Sequence, residues 1–163
     1  MDGKLRNMTS LYLVRDGEVL CLYRIGSRVA DQKYVGSAGG HFEPHELNDA
    51  KACVLREMQE ELGLCESDLI GLRLRYITYR RKNDEIRQNY YYFAELKTAK
   101  QLSSSEGKLR WVPFEEVASL NMPISAKHMI LHYIRFGRFN DTLYAGITQS
   151  DRTDFVPMTE FDG

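Results

Sequence analysis

The stretch that decides the fold begins Gly39-Gly40-His41-Phe42-Glu43-Pro44-His45-Glu46 and ends Arg56-Glu57-Met58-Gln59-Glu60-Glu61-Leu62-Gly63-Leu64. In its second half Glu57, Glu60 and Glu61 stand at spacings i, i+3 and i+4, which places them on one face of a helix, one turn apart. A plain surface helix gains nothing from that placement. Glu57 and Glu61 repel as like charges at i, i+4. Glu60 and Glu61 also lie near a helix C-terminus, where the macrodipole disfavours negative charge. A bound cation resolves both conflicts, and a hard divalent ion that also holds phosphate oxygens is the simplest candidate.

Outward from the acidic face, Val54, Leu55, Met58 and Leu62 make an apolar stripe at helical spacing. Asn48 or Asp49 can cap the start, and Gly63 is placed to stop the helix. The pattern predicts a helix over residues 49–62 with a packed side and an acidic side next to it.

These residues together resemble the signature of the Nudix hydrolases, G-x5-E-x7-R-E-U-x-E-E-x-G-U, where U is a bulky aliphatic residue. Gly40 and Glu46 fit its first part, and Arg56, Glu57, Met58, Glu60, Glu61, Gly63 and Leu64 fit its second. The departure lies between them. Nine residues, 47–55, separate Glu46 from Arg56 where the pattern has seven. Two extra residues inside a helix would turn its face by about 200° at 3.6 residues per turn. A loop absorbs them at little entropic expense, so the insertion is expected at 47–49, ahead of the helix.

The resemblance implies an α/β fold, an α/β/α sandwich around a mixed β-sheet. It also implies a hydrolase that uses Mg2+, or Mn2+, to cleave a nucleoside diphosphate linked to another moiety. By matching positions, Glu60 and Glu61 are expected as metal ligands and Glu57 as a ligand or the base that activates water. The Gly39 carbonyl is the expected further ligand. Arg56 is expected to fix Glu57 or Glu46, and Glu106, ahead of the strand around Trp111, is the candidate for an extra metal contact.

The size is similar to that of MutT-type members. The leading expectation is therefore a purine nucleoside triphosphate such as 8-oxo-dGTP, cleaved to the monophosphate and pyrophosphate. ADP-ribose or another NDP-linked compound is the alternative, and a non-catalytic nucleotide-binding module is a third reading. Tyr79, Tyr91 and Phe93 could stack on a base, although rings in a strand also serve as core. Asn121 is the Asn nearest the closing helix, from which MutT members read an oxidised purine; that helix opens here with Pro123-Ile124-Ser125-Ala126.

The remaining sequence suits that frame. At 163 residues, 43% hydrophobic and 28% charged, the chain is expected to form one domain with a core at about 8–148 and a polar tail at 149–163. A net charge of -1 gives no bulk attraction to nucleic acid or anionic membrane. Partners are expected to be small nucleotides, with a homodimer compatible. Cys21, Cys53 and Cys65 lack C-x-x-C spacing and suit free thiols in a reducing compartment. With no membrane-length apolar run and no signal peptide, the expectation is cytoplasmic.

Strands are expected at 8–14, 19–23, 69–79, 87–96, 108–112 and 143–148. A short helix is expected at 114–120, a longer one at 125–136, and a loop with a short strand at 26–40. Arg80-Arg81-Lys82 flanks a turn at 82–85 and reads as a solvated tip or as a phosphate contact. His128 and His132 have zinc-like i, i+4 spacing, but Met129 stands where an H-E-x-x-H site needs Glu.

Overall fold

The computed structural model describes residues 1–26 and 31–163. The expected loop at 26–40 therefore falls partly, at 27–30, outside the described residues. Strand β1, Lys4–Arg15, is the spine. Its residues Lys4 to Leu13 pair in parallel with β6, Glu85–Leu96. On its other edge, Met8 to Leu11 pair with β4, Ala38–His41, and Val14 and Arg15 pair with β2, Glu18–Arg24. The tight turn at Gly17 joins β1 to β2 through a left-handed backbone, φ 69°.

The sheet runs β3-β2-β1-β6-β5-β8-β9, with β4 added on β1 and β7 on β2. Here β3 is Tyr34–Val35, β5 is Leu69–Lys82, β7 is Gly107–Pro113, β8 is Leu143–Thr148 and β9 is Thr153–Met158. The β1–β6 and β5–β8 pairs are parallel and the other pairs are antiparallel, so the sheet is mixed as expected.

Alternation along β1 divides the core. Leu11 and Leu13 point to the side where Val54, Met58 and Leu62 of helix α1, Ala50–Leu62, pack. Tyr12 and Val14 point to the other side, toward Met129, Ile130 and Tyr133 of helix α2, Ile124–Arg135. A period of two along one strand thus feeds two helical layers, and the result is an α/β/α sandwich.

Helix α1 begins at Ala50. The Asp49 carboxylate accepts a hydrogen bond from the Ala52 N–H at 3.0 Å, and Gly63 ends the helix in the left-handed region, φ 66°. The two extra residues of the motif therefore stay ahead of the helix, behind a single 3-10 turn at Pro44–Glu46, and the acidic face is not rotated.

Two features depart from the linear reading. The tail is not merely polar, since Thr153–Met158 forms β9 and pairs antiparallel with β8. A register shift in β5 between Leu74 and Tyr76 leaves Arg75 as the extra residue of a bulge. Buried Arg75 donates to the carbonyls of Gly137 and Asn140 at 2.7 Å each, satisfying acceptors just beyond α2. Among the described residues no helix is long and apolar enough to cross a membrane.

Candidate active site

The acidic face of α1 lies over β4, and two glycines let it come close. A Cβ on Gly40 would collide with the carboxylate of Glu57, and a Cβ on Gly39 would collide with the backbone of Thr9 and Ser10. Gly39 also has φ 155°, a value that L side chains rarely adopt. Its N–H donates to Glu61 Oε2 at 3.0 Å, so the Gly39 peptide and the Glu61 carboxylate sit side by side.

Arg56 organises the rest. Its Nε and Nη2 donate to the two oxygens of Glu46, each at 2.9 Å. Nη1 reaches Glu57 at 2.9 Å and Glu60 at 3.2 Å, and Nη2 also donates to the His41 carbonyl at 3.0 Å. The sequence left open whether Arg56 holds Glu57 or Glu46; it holds both. Glu46 is only 1% exposed. It is bound by Arg56 and also accepts from the Glu43 N–H at 2.9 Å. Arg56, opposed by burial and helped by that N–H, keeps its carboxyl below the usual range. A bidentate guanidinium is the partner that makes such burial tolerable.

Glu57 and Glu61 are in the opposite state. Burial pushes Glu61 up to about 8, against the pull of the Gly39 N–H, and the nearby Glu106 and Glu57 charges add to the rise. Burial also raises Glu57, against the pull of Arg56. Glu106 stands within reach of both fields and is itself paired with Arg24 at 2.6 Å. Glu60 is the outermost of the four, its side chain 57% exposed. Arg56 engages one oxygen each of Glu57 and Glu60, and Arg24 one oxygen of Glu106, which leaves further carboxylate oxygens on this face of the kind a divalent cation takes. Glu57, Glu60, Glu61, Glu106 and the Gly39 carbonyl could hold one. Glu43, His45 and Glu46 also bring ligand atoms within 4.8 Å of one another, but Glu46 is already committed to Arg56 and is a poor ligand there.

A cavity opens from Gly39, Glu61 and Glu106 across the floor of β1, β6 and β5 toward Pro123, Ser125 and Ala126 at the start of α2. Of the base-stacking candidates, only Tyr91 lines it, and Tyr91 is 1% exposed. Phe93 lies in the core, stacked on Tyr133 with ring centroids 4.0 Å apart and on Tyr12 at 5.6 Å, away from the cavity lining. Tyr79 alternates with Thr78 and Arg80, which line the cavity, and so faces the other side of the sheet. Asn121 is exposed outside the lining; its carbonyl accepts from the Tyr34 N–H at 2.8 Å and its Nδ2 donates to the Gln32 carbonyl.

The linear reading missed Tyr12. It lines the cavity, is 0% exposed, and its hydroxyl has no hydrogen-bond partner among the described residues; the same is true of the Ser125 hydroxyl and Arg24 Nε. In sequence Tyr12 is one ring between two leucines, and nothing separates it from ordinary core. The two α2 histidines are structural. His132 Nδ1 meets the Tyr76 hydroxyl at 2.8 Å and His128 Nδ1 meets the Thr153 hydroxyl at 2.9 Å, fastening α2 to β5 and β9.

With this geometry in place, residues 5–133 match the model of the NUDIX domain. The chain belongs to that family. It carries the family's glutamates and arginine and is a Nudix pyrophosphohydrolase. No curated protein matches its sequence significantly.

Solved structures share the fold at low identity. A mutator MutT protein from Bacillus halodurans superposes with a TM-score of 0.68 at 21% identity, over 93% of this chain and 97% of that one. A C. elegans Ap4A hydrolase in a binary complex gives 0.66 at 16%, over 83% and 99%. The NUDIX domain of Shewanella oneidensis NrtR, complexed with ADP ribose, gives 0.62 at 14%, over 85% and 89%.

Proposed function

We propose that the chain is a Mg2+-dependent nucleoside triphosphate pyrophosphohydrolase, acting on 8-oxo-dGTP or a related purine dNTP and releasing the monophosphate and pyrophosphate. The observation that carries this reading is that Glu61 and Glu106 line a cavity beside Glu57, and that the same cavity is lined by apolar Val35 and Ala126 and by the unpaired hydroxyls of Tyr12 and Ser125. That combination suits a polyphosphate joined to a flat, polar-edged ring.

Glu57, Glu60, Glu61, Glu106 and the Gly39 carbonyl are the proposed ligands. The bound ion would polarise phosphoryl oxygens and lower the pKa of water at the site. Arg56 keeps Glu57 in place, and Glu46 keeps Arg56 in place, so the helix presents a fixed set of oxygens. Glu57, raised by burial yet tethered by Arg56, is suited to take a proton from the attacking water.

ADP-ribose, named in the NrtR complex, and a dinucleoside polyphosphate of the Ap4A kind are the competing substrates. Hydrolysis of 8-oxo-dGTP, dGTP, dATP, ADP-ribose and Ap4A with Mg2+, products resolved, separates them. A preference in kcat/KM for 8-oxo-dGTP supports the proposal, and a preference for ADP-ribose or Ap4A overturns the substrate while keeping the site.

A further inference from the structure

Two arginines at the cavity's far end are left without a task by that reading. Arg80 of β5 and Arg87 of β6 are direct register partners, both half-buried, and both line the cavity. Like charges facing each other across an antiparallel pair are destabilising. On the other side of Arg87, β1 places Arg6 in register, so three arginines stand in a row on three adjacent strands. Glu85 answers part of this charge: it lies 2.6 Å from Arg87 Nε and 4.0 Å from Arg6 Nη1. Among the described residues Arg80 forms no ion pair.

The turn that follows β5 does not explain them. Arg81 and Lys82 are exposed at its tip, and Arg81 Nε donates to the Asn83 carbonyl. Strand alternation turns Arg80 the other way, onto the cavity floor with Thr78. The basic triplet is thus split: two charges in solvent and one in the cavity.

We propose that Arg80 and Arg87 form a second anion subsite, which takes a phosphate of the substrate outside the bond being hydrolysed. The inference rests on the pyrophosphohydrolase reading and narrows its substrate class to compounds with an additional phosphate. Ser10 is in register with Gly39 on one side and with Tyr91 on the other. Arg87 lies four residues before Tyr91, roughly 13 Å along the strand at about 3.3 Å per residue. The anion therefore binds at the end of the floor away from Glu61.

Asn89 and Thr78 line the floor between. Two adjacent guanidinium forks match the several oxygens of a phosphate. That phosphate is either an ester on the nucleoside or the terminal phosphate of a chain.

Matched pairs differing by one phosphate test the subsite: NADP+ against NAD+ for the ester source, and dATP against dADP for the terminal source, each as kcat/KM with Mg2+. The expected result is a preference of at least about tenfold for the fuller member of one pair, the scale of a charged hydrogen bond. R80Q and R87Q, checked for folding by circular dichroism, are expected to erase that preference. Equal handling within both pairs, or variants that lower both members alike, overturns the proposal.

Equilibrium binding of adenosine 2′,5′-bisphosphate and of ATP, each against AMP, requires no turnover. If nothing is hydrolysed but the extra phosphate tightens binding through Arg80 and Arg87, the subsite stands and the pyrophosphohydrolase reading falls. If the extra phosphate does not tighten binding, the subsite falls.

Discussion

Arg56 grips Glu46 through two hydrogen bonds of 2.9 Å and, with its remaining nitrogen, reaches Glu57 at the same distance. One guanidinium thus ties a buried carboxylate of the loop to a carboxylate of the helix. Removing the arginine strands Glu46, 1% exposed, without its cation. R56M is expected to lower stability by about 3 kcal/mol, the low end for breaking a buried pair. E46Q should lose less, because Arg56 keeps Glu57 and Glu60. The double variant should be more stable than the sum of the singles implies, as residues in contact couple. Urea unfolding of the three variants measures this, and strict additivity would contradict the link.

Gly40 is where the glycine of the motif meets the helix. A Cβ there lands on the Glu57 carboxylate. G40A is expected to displace Glu57 and reduce kcat by up to about 100-fold, the effect of a misplacement near 1 Å. Far-UV circular dichroism should be unchanged. Wild-type turnover in G40A would mean that the position of Glu57 does not matter.

The half-buried carboxyl of Glu61 makes stability depend on pH. Its folded value of about 8 lies above its ordinary 4.5, so the folded state holds a proton that the unfolded state has lost between those values. The associated stability is full below pH 4.5 and is lost as pH rises through about 8. Glu46, lowered by Arg56, acts in the opposite sense: its stability is present above 4.5 and lost as pH falls through its lowered folded value. Metal-free protein should therefore show a falling contribution from this site between pH 5.5 and pH 8.5, and Mg2+ should raise Tm more at the higher pH (roughly the window of that titration). Thermal melts in EDTA and in Mg2+ at the two values decide it. Equal stabilisation by Mg2+ at both would contradict the assignment.

The acidic helix was legible because its physics is local. Caps at Asp49 and Gly63, one apolar stripe and like charges at i, i+4 all lie within fifteen residues, and the two-residue insertion fell before the helix because only a loop could absorb it. The cavity was not legible in the same way. Phe93 and Tyr91 are two residues apart on one face of β6, yet only Tyr91 reaches the lining; α2, packed through Tyr133, makes that difference. Arg75 enters the interior through a bulge, which no alternation pattern reveals. Arg80 faces Arg87 only because β5 and β6 pair in that register, and β9 depends on a β8 edge that forms elsewhere in the fold.

The central claim is that Glu57 and Glu61 hold the cation for hydrolysis of the nucleoside triphosphate, and E61Q against wild type tests it most directly. With saturating nucleoside triphosphate and Mg2+, the wild type should release monophosphate and pyrophosphate. E61Q should turn over at least about 100-fold more slowly, the low end for removing a key catalytic group, while keeping the wild-type fold. Near-wild-type kcat in E61Q, or wild-type hydrolysis unaffected by removing the metal with EDTA, would contradict the account.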